Sequence, residues 1–195
     1  MKYRYLICEF AVPKGVCRLG VIKNVPNWAQ MHQNEPQAGI FPEDACYAMN
    51  PDFQKDIKLA DVLKNNNTFF VVSERLKDFL CKEDLLAHNE IHPVAIINHK
   101  GRPESAKYFL IHQIDDPECI DEDKSKGIKS KLMPDQYAAV TKMVLDEKKI
   151  GPEYAIFRAA EYRDRLLIRN DAAEKIEQGG FTGIKFFELK GYDNF

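Results

Sequence analysis

The sequence predicts an α+β protein with a mixed, largely antiparallel sheet, short helices and two strand-cap-helix units. Three observations carry that expectation. Runs rich in aromatic and branched residues recur at strand length, as in YRYLICEFAV, TFFVV and KYFLIHQI. Two such runs pass through a polar residue straight into a short amphipathic stretch. Ten prolines and ten glycines punctuate the chain, so no element can run far.

Taken in order, YRYLICEFAV and CRLGVI read as an opening hairpin turned at Pro13-Lys14-Gly15. From Asn24 to Asp52 the prolines Pro26, Pro36, Pro42 and Pro51 predict a long irregular excursion, pinned by Trp28 and Phe41. In TFFVVSERLKDFL a strand ends at Ser73, which is placed to cap a helix whose Leu76, Phe79 and Leu80 share one face. HPVAIIN and KYFLIHQI follow as an antiparallel pair around Lys100-Gly101-Arg102. The stretch from Asp115 to Lys131, acidic and then basic, predicts an exposed loop. Tyr137 to Leu145 suits helix or strand equally.

A second unit closes the chain. AIFRA and RLLIR read as strands with Arg163, Asp164 and Arg165 in the turn between them. Asn170-Asp171 then opens the helix AAEKIEQ, Gly179-Gly180 ends it, and the strand GIKFFEL follows. No low-complexity linker divides the chain, so residues 1–195 are expected to form a single domain, with two lobes around an extended sheet.

Composition narrows function by exclusion. Twenty-eight Lys and Arg against 30 Asp and Glu give a net charge of -2, without the dense basic patch that a nucleic-acid backbone demands. No apolar run approaches the roughly 20 residues of a membrane span, and Met1 to Tyr5 shows no secretory h-region, so a cytoplasmic location is expected. Cys8, Cys17, Cys46, Cys81 and Cys119 are scattered without a Cys-x-x-Cys pair and read as free, buried thiols.

Each search for catalytic chemistry ends on a structural explanation. His88 and His92 stand four apart, but Pro93 biases His92 away from the helix that would put both rings on one face. His99 and His112 complete no closed ligand set, so no metal and no cofactor are expected. None of Ser73, Ser105, Ser125 and Ser130 sits in a Gly-x-Ser-x-Gly elbow. Gly179-Gly180 and Gly183 follow a helix rather than opening one, which disfavours phosphate binding. Arg158 and Arg169 predict charge pairs across a hairpin.

In order, TFFVVSERLKDFL, HPVAI, YFLIHQIDDPECIDEDKS, AIFRA and GFTGIKFFEL together resemble the myxobacterial-type immunity-protein domain of bacterial polymorphic toxin systems, immunity family eleven. The resemblance is strongest over residues 59–189. Its marks are the Ser-Glu-Arg junction from Ser73 to Leu76, the Asp-x-x-x-Ser spacing from Asp121 to Ser125, and the Gly183-x-x-Phe186 ending. It implies a protein without enzyme activity that binds and neutralises a cognate toxin, encoded by an adjacent gene, through stoichiometric occlusion.

The surfaces named for that partner are the acidic residues Asp115, Asp116, Glu118, Asp121, Glu122 and Asp123, with Trp28, Tyr47 and Tyr162 as exposed aromatic anchors. An exposed sheet edge would also permit a homodimer. Two rival readings remain: a small metal-dependent hydrolase, favoured if three of the histidines converge in one cleft, and a regulatory protein-interaction module.

Overall fold

Eleven short strands and two nine-residue helices carry the architecture of the computed structural model, which describes residues 4–104, 106–190 and 192; Ser105 lies outside them. The strands are β1 (Tyr5–Phe10), β2 (Leu19–Lys23), β3 (Cys46–Met49), β4 (Phe70–Ser73), β5 (Asn89–Ile97), β6 (Tyr108–Gln113), β7 (Lys126–Lys129), β8 (Tyr137–Lys142), β9 (Ile156–Ala159), β10 (Tyr162–Arg169) and β11 (Ile184–Glu188). The helices are α1 (Glu74–Lys82) and α2 (Asn170–Gln178). The fold is α+β, as the sequence predicts. The chain divides into two compact units, residues 10–114 with 180–184, and residues 1–9, 115–179 and 185–195.

The first unit is built on a five-stranded sheet of order β2-β3-β5-β6-β4. β5 runs antiparallel to β6, β6 to β4, and β2 to β3, while β3 and β5 are parallel. Alternation decides the face that β5 buries: His92, Val94 and Ile96 point inward, and Ile91, Pro93 and Ala95 are exposed. Pro93 is tolerated because β3 pairs only with Ala95 to Ile97, so the missing N–H falls beyond that ladder. Leu19, Met31, Tyr47, Leu63, Val71 and Leu110 fill the core, and Trp28 and Phe41 pack against it from the long excursion.

At the end of β4 the helix begins where the sequence places it. The Ser73 hydroxyl accepts from the Leu76 N–H at 3.2 Å and donates to Asp61 Oδ1 at 2.9 Å. Asp61 Oδ2 takes the Arg75 guanidinium at 3.1 Å and the Thr182 N–H at 2.9 Å. The Arg75 guanidinium in turn lies over the Phe181 ring, 4.2 Å from its centre.

The second unit holds a four-stranded sheet, β11-β1-β10-β9, and the two-stranded β7-β8 hairpin. Tyr5, Ile7, Phe157 and Leu167 lie in its core with Cys119, Ile120 and Val140.

Several local expectations need correction. The Pro13 turn forms, with the Val16 N–H donating to the Pro13 carbonyl at 3.0 Å, but it joins no hairpin: β1 pairs with β10 and β2 with β3. The excursion contains a strand, β3, which was too short and too close to prolines to announce itself. Tyr137 to Lys142 is strand. The turn between β9 and β10 is Ala160-Glu161, so Arg163, Asp164 and Arg165 belong to β10. The second helix has no side-chain cap; Arg169 occupies the cap position, and its guanidinium grips Asp171 with two bonds of 2.6 and 3.1 Å. All five cysteines are free, but Cys81 is exposed and Cys46 is half-buried.

Candidate functional site

Two places carry enough chemistry to be considered, one in each unit. The first sits on the inward face of β5 and β6. Glu90 and His92 are two residues apart on a strand and so share a face, and the antiparallel register sets Glu90 directly opposite His112. Glu90 Oε2 lies 3.0 Å from His92 Nε2 and 3.6 Å from His112 Nδ1. The Gln37 N–H donates to Glu90 Oε2 at 2.8 Å and the Ala38 N–H to Oε1 at 3.3 Å. His112 Nε2 donates to the Met31 carbonyl at 3.1 Å, which places the proton on that nitrogen. Phe41 stacks on His92 with ring centres 4.2 Å apart.

Electrostatics follow from burial. Burial pushes the His92 pKa below its ordinary value of 6.5, against the opposing pull of Glu90. Burial alone would raise Glu90, but the Gln37 N–H, His92 and the Ala38 N–H together hold it below the ordinary carboxylate value. The cluster thus favours a neutral His92 ring facing an ionised carboxylate.

The structure brings together two of the four histidines weighed above, not three. His99 lies elsewhere, 3.4 Å from the Asp56 carbonyl, and His88 stands exposed at the end of a turn with φ of 61°. Glu90, which completes the cluster, lies between His88 and His92 in the sequence but was not read as a ligand, because a helical spacing of four was tested. The useful signal was the Glu90-x-His92 alternation of a strand.

The second place is the acidic stretch, and it is only partly the solvated loop expected. Asp116, Cys119 and Ile120 are buried, and residues 126–129 form β7. Asp116 can be buried because Arg163 Nε pairs with its Oδ2 at 3.0 Å and the Arg158 N–H donates to its Oδ1 at 3.1 Å. Arg158, itself buried, donates to the Arg163 carbonyl. Arg163 therefore joins β10 to the acidic segment, while the Arg158 guanidinium reaches across the β9-β10 hairpin. Asp115 accepts from the Tyr154 hydroxyl at 2.6 Å.

Glu118, Glu122 and Asp123 are exposed, Asp121 is half-buried, and with Asp135 and Asp146 they line a groove of about 670 Å³. Lys129, paired with Glu122, and Lys149 offset part of that charge. The β7-β8 hairpin that contributes Pro134 and Asp135 to the groove also carries Ile128, Leu132 and Met133, which are 69%, 92% and 44% exposed.

The aromatic anchors fare differently. Tyr47 is fully buried in the first core and Tyr162 is 4% exposed in the second, so neither is available at a surface. Both lie on strands, where the inward face claims large apolar rings. Trp28 is half-buried, edge-on to Phe69 at 6.4 Å.

The three marks of the family resemblance are now legible as structure. Ser73 and Arg75 clasp Asp61. The Asp121 carbonyl accepts the Ser125 N–H at 2.9 Å, while the Ser125 hydroxyl accepts the Val144 N–H at 3.0 Å. Gly183, at φ of 83°, leaves no room for a Cβ beside the Val62 carbonyl oxygen. Each mark fixes local structure, and Asp121 in the second also lines the acidic groove.

Among the described residues, no helix is long and apolar enough to cross a membrane. A family model described as the immunity protein family Imm11 matches residues 12–191, further toward the N-terminus than the quoted motifs reach. No curated protein gives a significant match.

Proposed function

The chain belongs to the immunity protein family Imm11, and from that premise we propose that it binds a cognate protein toxin and neutralises it by occlusion, without catalysis of its own. The match across nearly the whole chain carries this reading. Exposed apolar side chains beside an acidic groove support it, because a tight interface needs a desolvated anchor within a charged rim.

Leu132, with Ile128 and Met133, is the anchor in this proposal. The groove acids Glu118, Asp121, Glu122 and Asp123 steer a partner whose contacting face is basic. Asp115 and Trp28 lie outside this face and are secondary candidates. Because traces of free toxin would harm the cell, the complex is expected at nanomolar affinity or tighter, about -12 kcal/mol. A buried area on the order of 1,600 Å² would suffice. Protection takes place in the cytoplasm, against a toxin encoded beside this chain.

Co-expression with the adjacent gene product tests the proposal, with host survival and co-purification as readouts. Rescue accompanied by a one-to-one complex supports occlusion. Rescue without a complex would replace it with enzymatic repair, and failure of both would remove the immunity reading.

A further inference from the structure

The inward face of β5 and β6 carries an inference that does not depend on the toxin. We propose that Glu90, His92 and His112 bind a divalent transition-metal ion of the zinc class, which fastens the Met31 to Phe41 segment to the sheet.

Geometry comes first. His92 Nε2, His112 Nδ1 and a Glu90 oxygen all lie within 4.8 Å of one another. Two ligand atoms each 2.0–2.1 Å from a tetrahedral zinc ion stand about 3.3–3.4 Å apart. The observed separations from Glu90 Oε2, 3.0 Å to His92 and 3.6 Å to His112, bracket that value. Closing the set requires the two imidazole nitrogens, within 4.8 Å of each other, to approach to that separation.

The surroundings match what a metal-binding imidazole and carboxylate require. A histidine ligand usually donates its other ring N–H to a carbonyl or carboxylate, which fixes ring and tautomer. His112 Nε2 does this with the Met31 carbonyl, so in the neutral ring Nδ1 carries the lone pair on the side of Glu90. Glu90 is oriented in the same manner by the Gln37 and Ala38 N–H groups. His92 would take the Nδ1–H tautomer on binding, exchanging its Nε2 hydrogen bond to Glu90 for the metal.

The donor set is also chemically selective. Two imidazoles and one carboxylate suit zinc, cobalt or iron(II) and poorly suit calcium or magnesium, which prefer all-oxygen shells. The Glu90 side chain keeps 13% of its surface exposed, which leaves a route for the ion and a fourth position for water. Sequence spacing pairs Glu90 with His92 on the period-two face of one strand, but the third ligand, His112, is supplied by the register of the next.

The consequence is mechanical. Met31 touches His112, Gln37 and Ala38 touch Glu90, and Phe41 stacks on His92, so one ion would hold down a segment that otherwise has little regular structure.

Untagged, chelator-stripped protein titrated with zinc, and separately with cobalt(II), tests the proposal. The expected result is one equivalent bound, visible d–d absorption for cobalt, and a zinc-dependent rise in the thermal midpoint. Glu90→Gln, His92→Gln and His112→Gln should each weaken binding by about 100-fold or more, by comparison with the 10- to 100-fold cost of losing an outer-shell partner. His88→Gln and His99→Gln should bind as the unaltered chain does. Absence of saturable binding by the unaltered protein would overturn the proposal. So would undiminished binding by Glu90→Gln, whose shape is nearly unchanged and whose folding circular dichroism verifies independently, or loss of binding in His99→Gln alone.

Discussion

Glu90 stands directly across from His112 in the antiparallel pair of β5 and β6, with its carboxylate 3.6 Å from the imidazole Nδ1 and 3.0 Å from His92 two residues along. A buried polar cluster of this kind ties stability to pH. His92 titrates below its ordinary 6.5 in the fold, so its contribution is complete above that value and is lost as pH falls and the unfolded chain takes up the proton first. Glu90 titrates below its ordinary 4.5, so its contribution is present above that value and lost as pH falls further. Both act in the same direction. Urea midpoints of the metal-free protein should fall between pH 7.5 and 5.5 and again towards pH 4, and His92→Gln should flatten the first decline.

Asp61 is the knot of the first unit, and its loss should exceed that of any one partner. Ser73→Ala removes the cap of α1 and one bond to Asp61, at a cost of about 1–2 kcal/mol. Asp61→Ala strands Ser73, Arg75 and Thr182 together and should cost about 2–4 kcal/mol. Denaturant unfolding of the two variants checks the order; a larger effect for Ser73→Ala would contradict it.

Gly183→Ala should be more damaging than Gly39→Ala, although both glycines have φ near 80°. At Gly39 nothing lies within 4 Å of a new Cβ, so only the left-handed backbone opposes it, at about 1–2 kcal/mol. At Gly183 the methyl would also meet the Val62 carbonyl oxygen at 2.1 Å, and the backbone between Val62 and Thr182, joined by a 2.9 Å hydrogen bond, must move. Thermal midpoints of the two variants should separate clearly, with Gly183→Ala the lower.

On the surface, Leu132→Asp should leave folding unchanged, since the side chain is 92% exposed, and should weaken toxin binding at least tenfold. Asp123→Lys should act differently, slowing association and reducing its dependence on salt. Stopped-flow binding at two ionic strengths separates the two effects. Equal loss from buried-face controls would argue that the partner docks elsewhere.

The sequence by itself determined what depends on neighbours along the chain. Ser73 before Leu76, the Gly101 turn, the antiparallel β5-β6 pair and the strand that precedes α2 were legible because capping, turn chemistry and alternation are local. The family marks were legible for the same reason, as they fix local structure at Asp61, Val144 and Val62, although Asp121 also lines the acidic groove. Tertiary structure alone decided which strands meet: β1 and β2 flank a well-formed turn yet join different sheets, because burial of their apolar faces outweighs proximity in sequence. It alone buried Tyr47, Tyr162 and Asp116, the last by supplying Arg163 from a strand 47 residues away. It alone set His112 against Glu90, since register between strands is chosen by the packing of the whole sheet and leaves no trace in the spacing of the residues it unites.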